Sequence, residues 1–336
     1  MNRFLTILLL IFLLASPAGL AQEQSQIPEQ TQAAEDADAE TGAIDPPEAS
    51  LIPEGDWREE LGAFRIGIVS GGDISETVAR AEPFRLAIAE ALNMRVELFP
   101  ARDFSALIDA ASDSRIEYAV FSASAYALAW SLCECIEPLV VARSGDGAAD
   151  YRQVLIASEG AVQDLESLKG KRIAMIETAT VGGGLLALRE LKQAGLGLDG
   201  VDAELVTVPT GEAALEALES GEADAVLGWS SLRGDKGEGY SRGTLQRIAP
   251  RGEPAASYTI VWQSSPIPHR THAMRKNLPA QAKTILRSKL TAMFDADPVA
   301  YDSIEPIHGG GFIAARQGEY EALIELMRSK GVKAAE

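Results

Sequence analysis

Between residues 61 and 330, short apolar runs of strand length alternate with stretches whose apolar positions recur every three or four residues, the signature of alternating strands and helices. Strands are predicted at 64–69, 96–99, 118–121, 136–142 and 151–157, and again at 172–176, 204–208, 223–227, 245–249 and 258–262. Helices are predicted from Glu82-Pro83 to about Asn93, where proline suits a first turn, and from Asp103 as N-cap to about Ser112. Others follow Ser122 to about Leu132, occupy 165–168, 212–219 and 279–294, and close the chain at 320–327. Ser144-Gly-Asp-Gly147 reads as a turn, 234–243 as an exposed glycine-rich loop, and Ser264-Ser-Pro-Ile-Pro268 as a linker, since closely spaced prolines fit neither helix nor central strand. The strand–helix series of the first half recurs in the second. That repetition predicts an α/β protein of two halves.

The most informative stretch runs from Lys171 to Ala194. Residues 172–176 are an apolar strand, and Leu185, Leu188 and Leu191 recur at helical spacing, so the period changes within 178–184. A helix starting there leaves its first N–H groups unpaired and carries partial positive charge, which can hold an anion. Thr178 and Thr180 add hydroxyl donors, and Gly182 and Gly183 allow a ligand to approach the backbone. Tight packing of helix on strand would account for the glycines equally well. A second such edge lies at 118–126, where a strand runs into Ser122-Ala-Ser124-Ala-Tyr126, and a third at Gly228-Trp229-Ser230. In open α/β sheets ligands bind at the carboxyl ends of strands.

Charge and composition refine this picture. The 336-residue chain carries a net charge of −19, which argues against nucleic acid or an anionic membrane as partner. Residues 22–60 alone hold twelve acidic residues and one arginine, with few bulky apolar side chains, as expected of a disordered acidic linker. Before them, Arg3, the apolar run 4–14 and small residues at Gly19 and Ala21 have the layout of a secretory signal peptide cleaved after Ala21, giving a periplasmic mature chain. Cys133 and Cys135 are the only cysteines, and either two semi-buried thiols or a local disulfide fits an exported chain.

No catalytic constellation stands out. Gly182, Gly184 and Ala187 formally match a dinucleotide fingerprint, but the match depends on one glycine triplet and does not fix an acidic partner at the next strand's end, and no Lys-Ser or Lys-Thr follows the glycines as in a P-loop. The Trp229–Leu232 segment lacks the second glycine of a nucleophile elbow, leaving Ser230 as a ligand hydrogen-bonder or a surface residue. His269, His272 and His308 have no cysteines or paired carboxylates nearby in sequence to complete a metal shell, and exposed histidines are the expectation. Trp229 could stack on a ligand or sit in the core. The reading is a binding protein rather than an enzyme, with no cofactor and no metal.

Several stretches taken together resemble one family, the periplasmic solute-binding proteins of ABC importers for phosphonate, phosphite and phosphate. They are Asp103-Phe-Ser-Ala-Leu-Ile108, Tyr118-Ala-Val-Phe-Ser-Ala-Ser-Ala-Tyr126, Asp164-Leu-Glu-Ser-Leu-Lys-Gly-Lys-Arg-Ile173, Ala217-Leu-Glu-Ser-Gly-Glu-Ala-Asp-Ala-Val226, Ser265-Pro-Ile-Pro268 and Gly311-Phe312, in family order. The resemblance implies a type II periplasmic-binding fold, each lobe a mixed sheet flanked by helices. Lobe 1 would span 61–148, lobe 2 149–262, and 263–336 would return to lobe 1, with thin crossings near 144–150 and 262–268. It further implies a monomer that holds a small anion between Ser122, Ser124 and Tyr126 of lobe 1 and Thr178, Thr180, Gly182 and Gly183 of lobe 2, and delivers it to an ABC permease or a membrane sensor. The family turn usually reads Ser-Thr-Ser-Gly, whereas this chain has Ala179-Thr180-Val181-Gly182. Each missing hydroxyl would cost about 1.5–3 kcal/mol toward a charged oxygen, so a different anion or a neutral ligand enters consideration.

Overall fold

A computed structural model describes residues 56–176, 183–198, 200, 202–247 and 257–332. The expected leader, residues 22–55 of the expected linker, and Thr178, Thr180 and Gly182 lie outside the described residues. In chain order the elements are α1 (Trp57–Leu61), β1 (Phe64–Val69), α2 (Ile74–Leu92), β2 (Val96–Ala101), α3 (Phe104–Ser112), β3 (Tyr118–Phe121), α4 (Ala123–Cys133), β4 (Ile136–Ser144), β5 (Asp150–Ser158), β6 (Arg172–Ile176), α5 (Gly183–Gln193), β7 (Glu204–Val208), α6 (Gly211–Glu219), β8 (Ala225–Ser230), β9 (Tyr258–Gln263), β10 (Ile267–Pro268), β11 (Thr271–Arg275), α7 (Ala280–Ala296), α8 (Pro298–Ile304), β12 (Gly309–Ala314) and α9 (Glu321–Ser329).

The strands form two sheets with the same plan. The first runs β2-β1-β3-β11-β4-β12 and the second β7-β6-β8-β5-β9, with β10 added to the end of β5. In each, three parallel strands are followed by an antiparallel strand supplied from across the junction between halves, β11 in the first and β5 in the second. The chain crosses between halves at 145–149 and returns through 264–270. The α/β class expected from the alternating periods is therefore the observed one. Each sheet is covered by apolar side chains on both faces: Phe64, Ile66, Leu286 and Tyr301 on one side of the first, Leu107, Phe121, Tyr126 and Leu323 on the other. Val154 and Leu215 on one side, and Ile173 and Leu191 on the other, do the same for the second. Two-sided burial explains why the parallel strands read as continuous apolar runs.

Several elements differ from the sequence reading, each for a local reason. Asp56 caps α1, and Trp57 is buried with its Nε1 donating to Gln281 Oε1 at 3.1 Å, so residues 57–60 of the expected linker are helical. Helix α2 starts at Ile74, not at Pro83: Asp73 caps it by accepting from the N–H groups of Ser75 and Glu76. Proline inside a helix frees hydrogen-bonding groups, and here the Phe84 N–H is satisfied by Ser303 Oγ of α8 at 3.1 Å. Residues Leu245–Arg247 form a helical turn rather than a strand. The expected linker contains β10, with Pro268 at the edge where no ladder donor is needed. His272 is fully buried in the middle of β11 rather than exposed. Cys133 and Cys135 are joined as a disulfide.

Candidate functional site

At the carboxyl ends of β6 and β8 lies a cavity of about 460 Å³. Met175 and Ile176 end β6 there, Gly228 and Trp229 come from β8, Gly184 and Gly211 open α5 and α6, and Tyr151 and Gln153 enter from β5. The opposite wall is His269, next to the returning strand, with Ile307 and His308 from the segment between α8 and β12. Arg242, Thr244 and Arg247 complete it from the segment that follows β8.

That segment folds back onto the end of its own strand. Thr244 accepts the Trp229 N–H at its Oγ1 (3.0 Å) and donates its own N–H to the Trp229 carbonyl (2.8 Å). Ser230 is buried, and its Oγ accepts from the Leu232 N–H at 3.0 Å. A side chain on Gly228 would place its Cβ 2.3 Å from Thr244 Oγ1, and one on Gly243, at φ +133°, would lie 2.4 Å from the Trp229 carbonyl. Both glycines are thus required for the fold-back that brings Arg242 to the cavity. Asp146, in the first crossing turn, ties the segment down by accepting from Ser241 Oγ at 2.7 Å and from the Ala148 N–H at 3.1 Å. Burial raises the Asp146 carboxyl, but hydrogen bonds from Ser144, Ser241 and Ala148 outweigh it and hold the group well below the usual carboxylate range.

Among the described residues no carboxylate lines the cavity, and neither Arg242 nor Arg247 has an acidic partner within 4 Å. The nearest buried acid, Glu305, is held back from it. Its Oε1 contacts Arg270 and His272, each at 3.1 Å, and its Oε2 accepts from His308 Nδ1 at 2.9 Å. Burial pushes Glu305 up, yet these bonds and the Arg270 charge bring it down to about 2, so it is ionised and fixes His308 with the Nδ1 proton turned inward. His272 in turn meets the Tyr118 hydroxyl in the core.

His269 stacks on Tyr151, with ring centroids 5.8 Å apart, and lies 4.7 Å from His308. Burial, then the neighbouring His308 and Arg242, lower its pKa to about 4, so it is neutral at pH 7. Its Nε2 is buried with no hydrogen-bond partner among the described residues, a group that a bound molecule would satisfy. Because the folded-state pKa lies below the unfolded value of about 6.5, protons bind the unfolded chain preferentially between these values. His269 therefore contributes stability above pH 6.5 that is lost as pH falls toward 4, about 3 kcal/mol in all. The melting temperature of His269→Gln is expected to fall less steeply than that of the wild type over this range, and equal slopes would contradict the assignment.

The residues expected from the sequence are only partly gathered here. Trp229 lines the cavity, and Gly183 starts α5 beside it, with the Gln153 side chain 2.5 Å from where a Cβ would sit. Thr178, Thr180 and Gly182 lie outside the described residues. Ser122, Ser124 and Tyr126 do not reach the lining. Ser122 is the N-cap of α4, accepting from the Ala125 N–H, and Tyr126 is fully buried, its hydroxyl donating to Gln317 Oε1 and its ring against Tyr320. Leu186 of α5 joins that same apolar cluster, so the region between the starts of α4 and α5 is packed with side chains. Arg242 and Arg247 escaped the sequence reading, and His269 and His308, expected to be exposed, are half-buried in the cavity wall. The one available signal was the cationic, glycine-rich character of 233–247.

A model of the family described as ABC transporter, phosphonate, periplasmic substrate-binding protein matches residues 66–320. Among solved structures, the chain is similar to XAC2383 from Xanthomonas citri bound to ATP, at 17% identity over 81% of this chain and 99% of that one, with a TM-score of 0.55. It is similar to transferrin 1 from Manduca sexta at 14% identity over 80% of this chain and 46% of that one, TM-score 0.51. It also resembles PhnD1 from Prochlorococcus marinus in complex with methylphosphonate, at 14% identity over 80% of this chain and 98% of that one, TM-score 0.49. At such identities the structural likeness is one of fold.

Proposed function

Because the chain belongs to the family of periplasmic substrate-binding proteins of phosphonate ABC transporters, we propose that it captures a small organic oxyanion in the cavity at the ends of β6 and β8 and delivers it to a membrane importer. The observation that carries the reading is the charge arrangement: in a chain of net charge −19, the cavity collects Arg242 and Arg247 and no carboxylate among the described residues. A low-dielectric wall on one side of such a cation pair strengthens its attraction for an anion. The starts of α5 and α6 add N–H groups at the same edge. The proposed partner is a permease, with the protein acting as an exported monomer; no helix among the described residues is long and apolar enough to cross a membrane.

Family resemblance also assigns ligand contacts to Thr178, Thr180 and Gly182, which precede α5 in sequence. Thr180→Val keeps the shape and removes the hydroxyl. On this reading it lowers affinity for the anion by about 1–3 kcal/mol and leaves the melting temperature of the unliganded protein within about a degree. Isothermal calorimetry with methylphosphonate, phosphate and neutral solutes of similar size checks both parts. Wild-type affinity in the variant, or tighter binding of the neutral solutes, would remove Thr180 or the anion from the account.

A further inference from the structure

Resting on the reading of this cavity as an anion site, we propose that its ligand is an oxyanion bearing a flat aromatic body, rather than inorganic phosphate or a one-carbon phosphonate. Three observations support this: the cavity's size, the character of its walls and the position of its charges.

The cavity measures about 460 Å³. At about 30 Å³ per molecule it would hold roughly fifteen waters, and a bare tetrahedral anion would displace only a few of them. The remainder would lie against an apolar lining, a poor exchange for a site selected to hold so small a solute. Volumes of about 300–1,000 Å³ suit ligands with a substantial body.

One part of the wall is aromatic and the rest largely aliphatic. Tyr151 stacks on His269 at 5.8 Å with the planes 19° apart, and meets Trp229 at 5.9 Å with the planes 80° apart. Tyr151 and Trp229 thus form an inside corner, in which a flat ring lying on one face meets the other edge-on, an arrangement aromatic pairs favour. Ile307 extends the apolar surface to the rim although it is 66% exposed, which is costly without a partner.

The charges come from one short segment, Arg242 and Arg247, which supplies none of the aromatic side chains but folds back onto Trp229 through Thr244, so the cations stand beside the aromatic wall. A ligand with an anionic head and a flat body matches a cavity that offers cations and aromatic rings together. The buried His269 Nε2, without a hydrogen-bond partner among the described residues, adds a polar contact beside the ring.

The test is calorimetry on the wild-type protein with phenylphosphonate, methylphosphonate, inorganic phosphate and benzyl alcohol. Phenylphosphonate is expected to bind at least tenfold more tightly than either smaller anion, and benzyl alcohol at least tenfold more weakly than phenylphosphonate. Trp229→Leu and, separately, Tyr151→Leu should each reduce the preference for phenylphosphonate over methylphosphonate to about threefold or less. Methylphosphonate or phosphate binding as tightly as phenylphosphonate overturns the aromatic-body inference and leaves the anion reading intact. Benzyl alcohol binding as tightly as phenylphosphonate, or no binding by any of the anions, overturns the anion reading and this inference with it.

Discussion

Arg242→Gln combined with Arg247→Gln is expected to weaken oxyanion binding about a hundredfold while leaving the melting temperature of the unliganded protein almost unchanged. A charge-assisted hydrogen bond contributes about 1.5–3 kcal/mol, and leaving a bound anion without its cations costs the desolvation of that anion as well. Arg242 is half-buried and should carry the larger share; Arg247 is exposed at the rim, where solvent screens it. Stability is spared because neither guanidinium has an acidic partner within 4 Å among the described residues, so their removal strands no carboxylate. The backbone of Arg242, which accepts from the Ser231 N–H at 3.1 Å, is untouched by the change. Arg242→Lys should fall between wild type and glutamine, because it keeps the charge and loses the planar fork. Calorimetry at low and raised salt measures all of this. A double variant that binds like the wild type would remove the cation pair from the site.

Glu305→Ala is expected to cost about 3–5 kcal/mol of stability, lowering the melting temperature by on the order of 10 °C. Glu305 is completely buried and joins Arg270, His272 and His308. Truncating it leaves a guanidinium and two imidazoles facing an empty buried space, the situation in which a broken ion pair is most destabilising. The pH dependence has a definite sign. The Glu305 pKa, about 2 in the folded protein, lies below its unfolded value of about 4.3, so its contribution is present above the unfolded value and is lost as pH falls toward 2. The variant should lack that acid-side loss. It should also bind the anion less tightly, since His308 at the cavity would no longer be held through Nδ1. Denaturant unfolding at pH 7 and pH 3 decides the matter, and a stability change below about 1 kcal/mol would contradict the network's role.

The parts of this fold that could be read in advance are those whose signal is local. Strands β1, β3, β6 and β7 are apolar runs with clear ends, and Asp103 and Ser122 cap the helices that follow them. What escaped depends on distant partners. Pro83 reads as a helix start, and the Phe84 N–H that follows it inside α2 is satisfied by Ser303, 219 positions later in the chain. Strand β11 reads Thr-His-Ala-Met-Arg, too polar for a central strand until His272 is matched with Tyr118 and Glu305. The site divides in the same way. Trp229 stands at a strand's carboxyl end and was legible there, whereas Arg242 is brought in by a fold-back that depends on Gly228, Gly243 and Thr244. His269 and His308 arrive from the return crossing and from the segment before β12. Their approach depends on tertiary packing that no spacing rule encodes.

The central claim, that this cavity holds an oxyanion and releases it unaltered, is tested most directly by native mass spectrometry of the protein purified from its native cells, alongside the Arg242→Gln/Arg247→Gln variant. The account predicts one bound anionic molecule per wild-type chain, recovered chemically unchanged after denaturation, and none on the variant. A molecule retained by the variant to the same extent, or recovered in altered form, would contradict it.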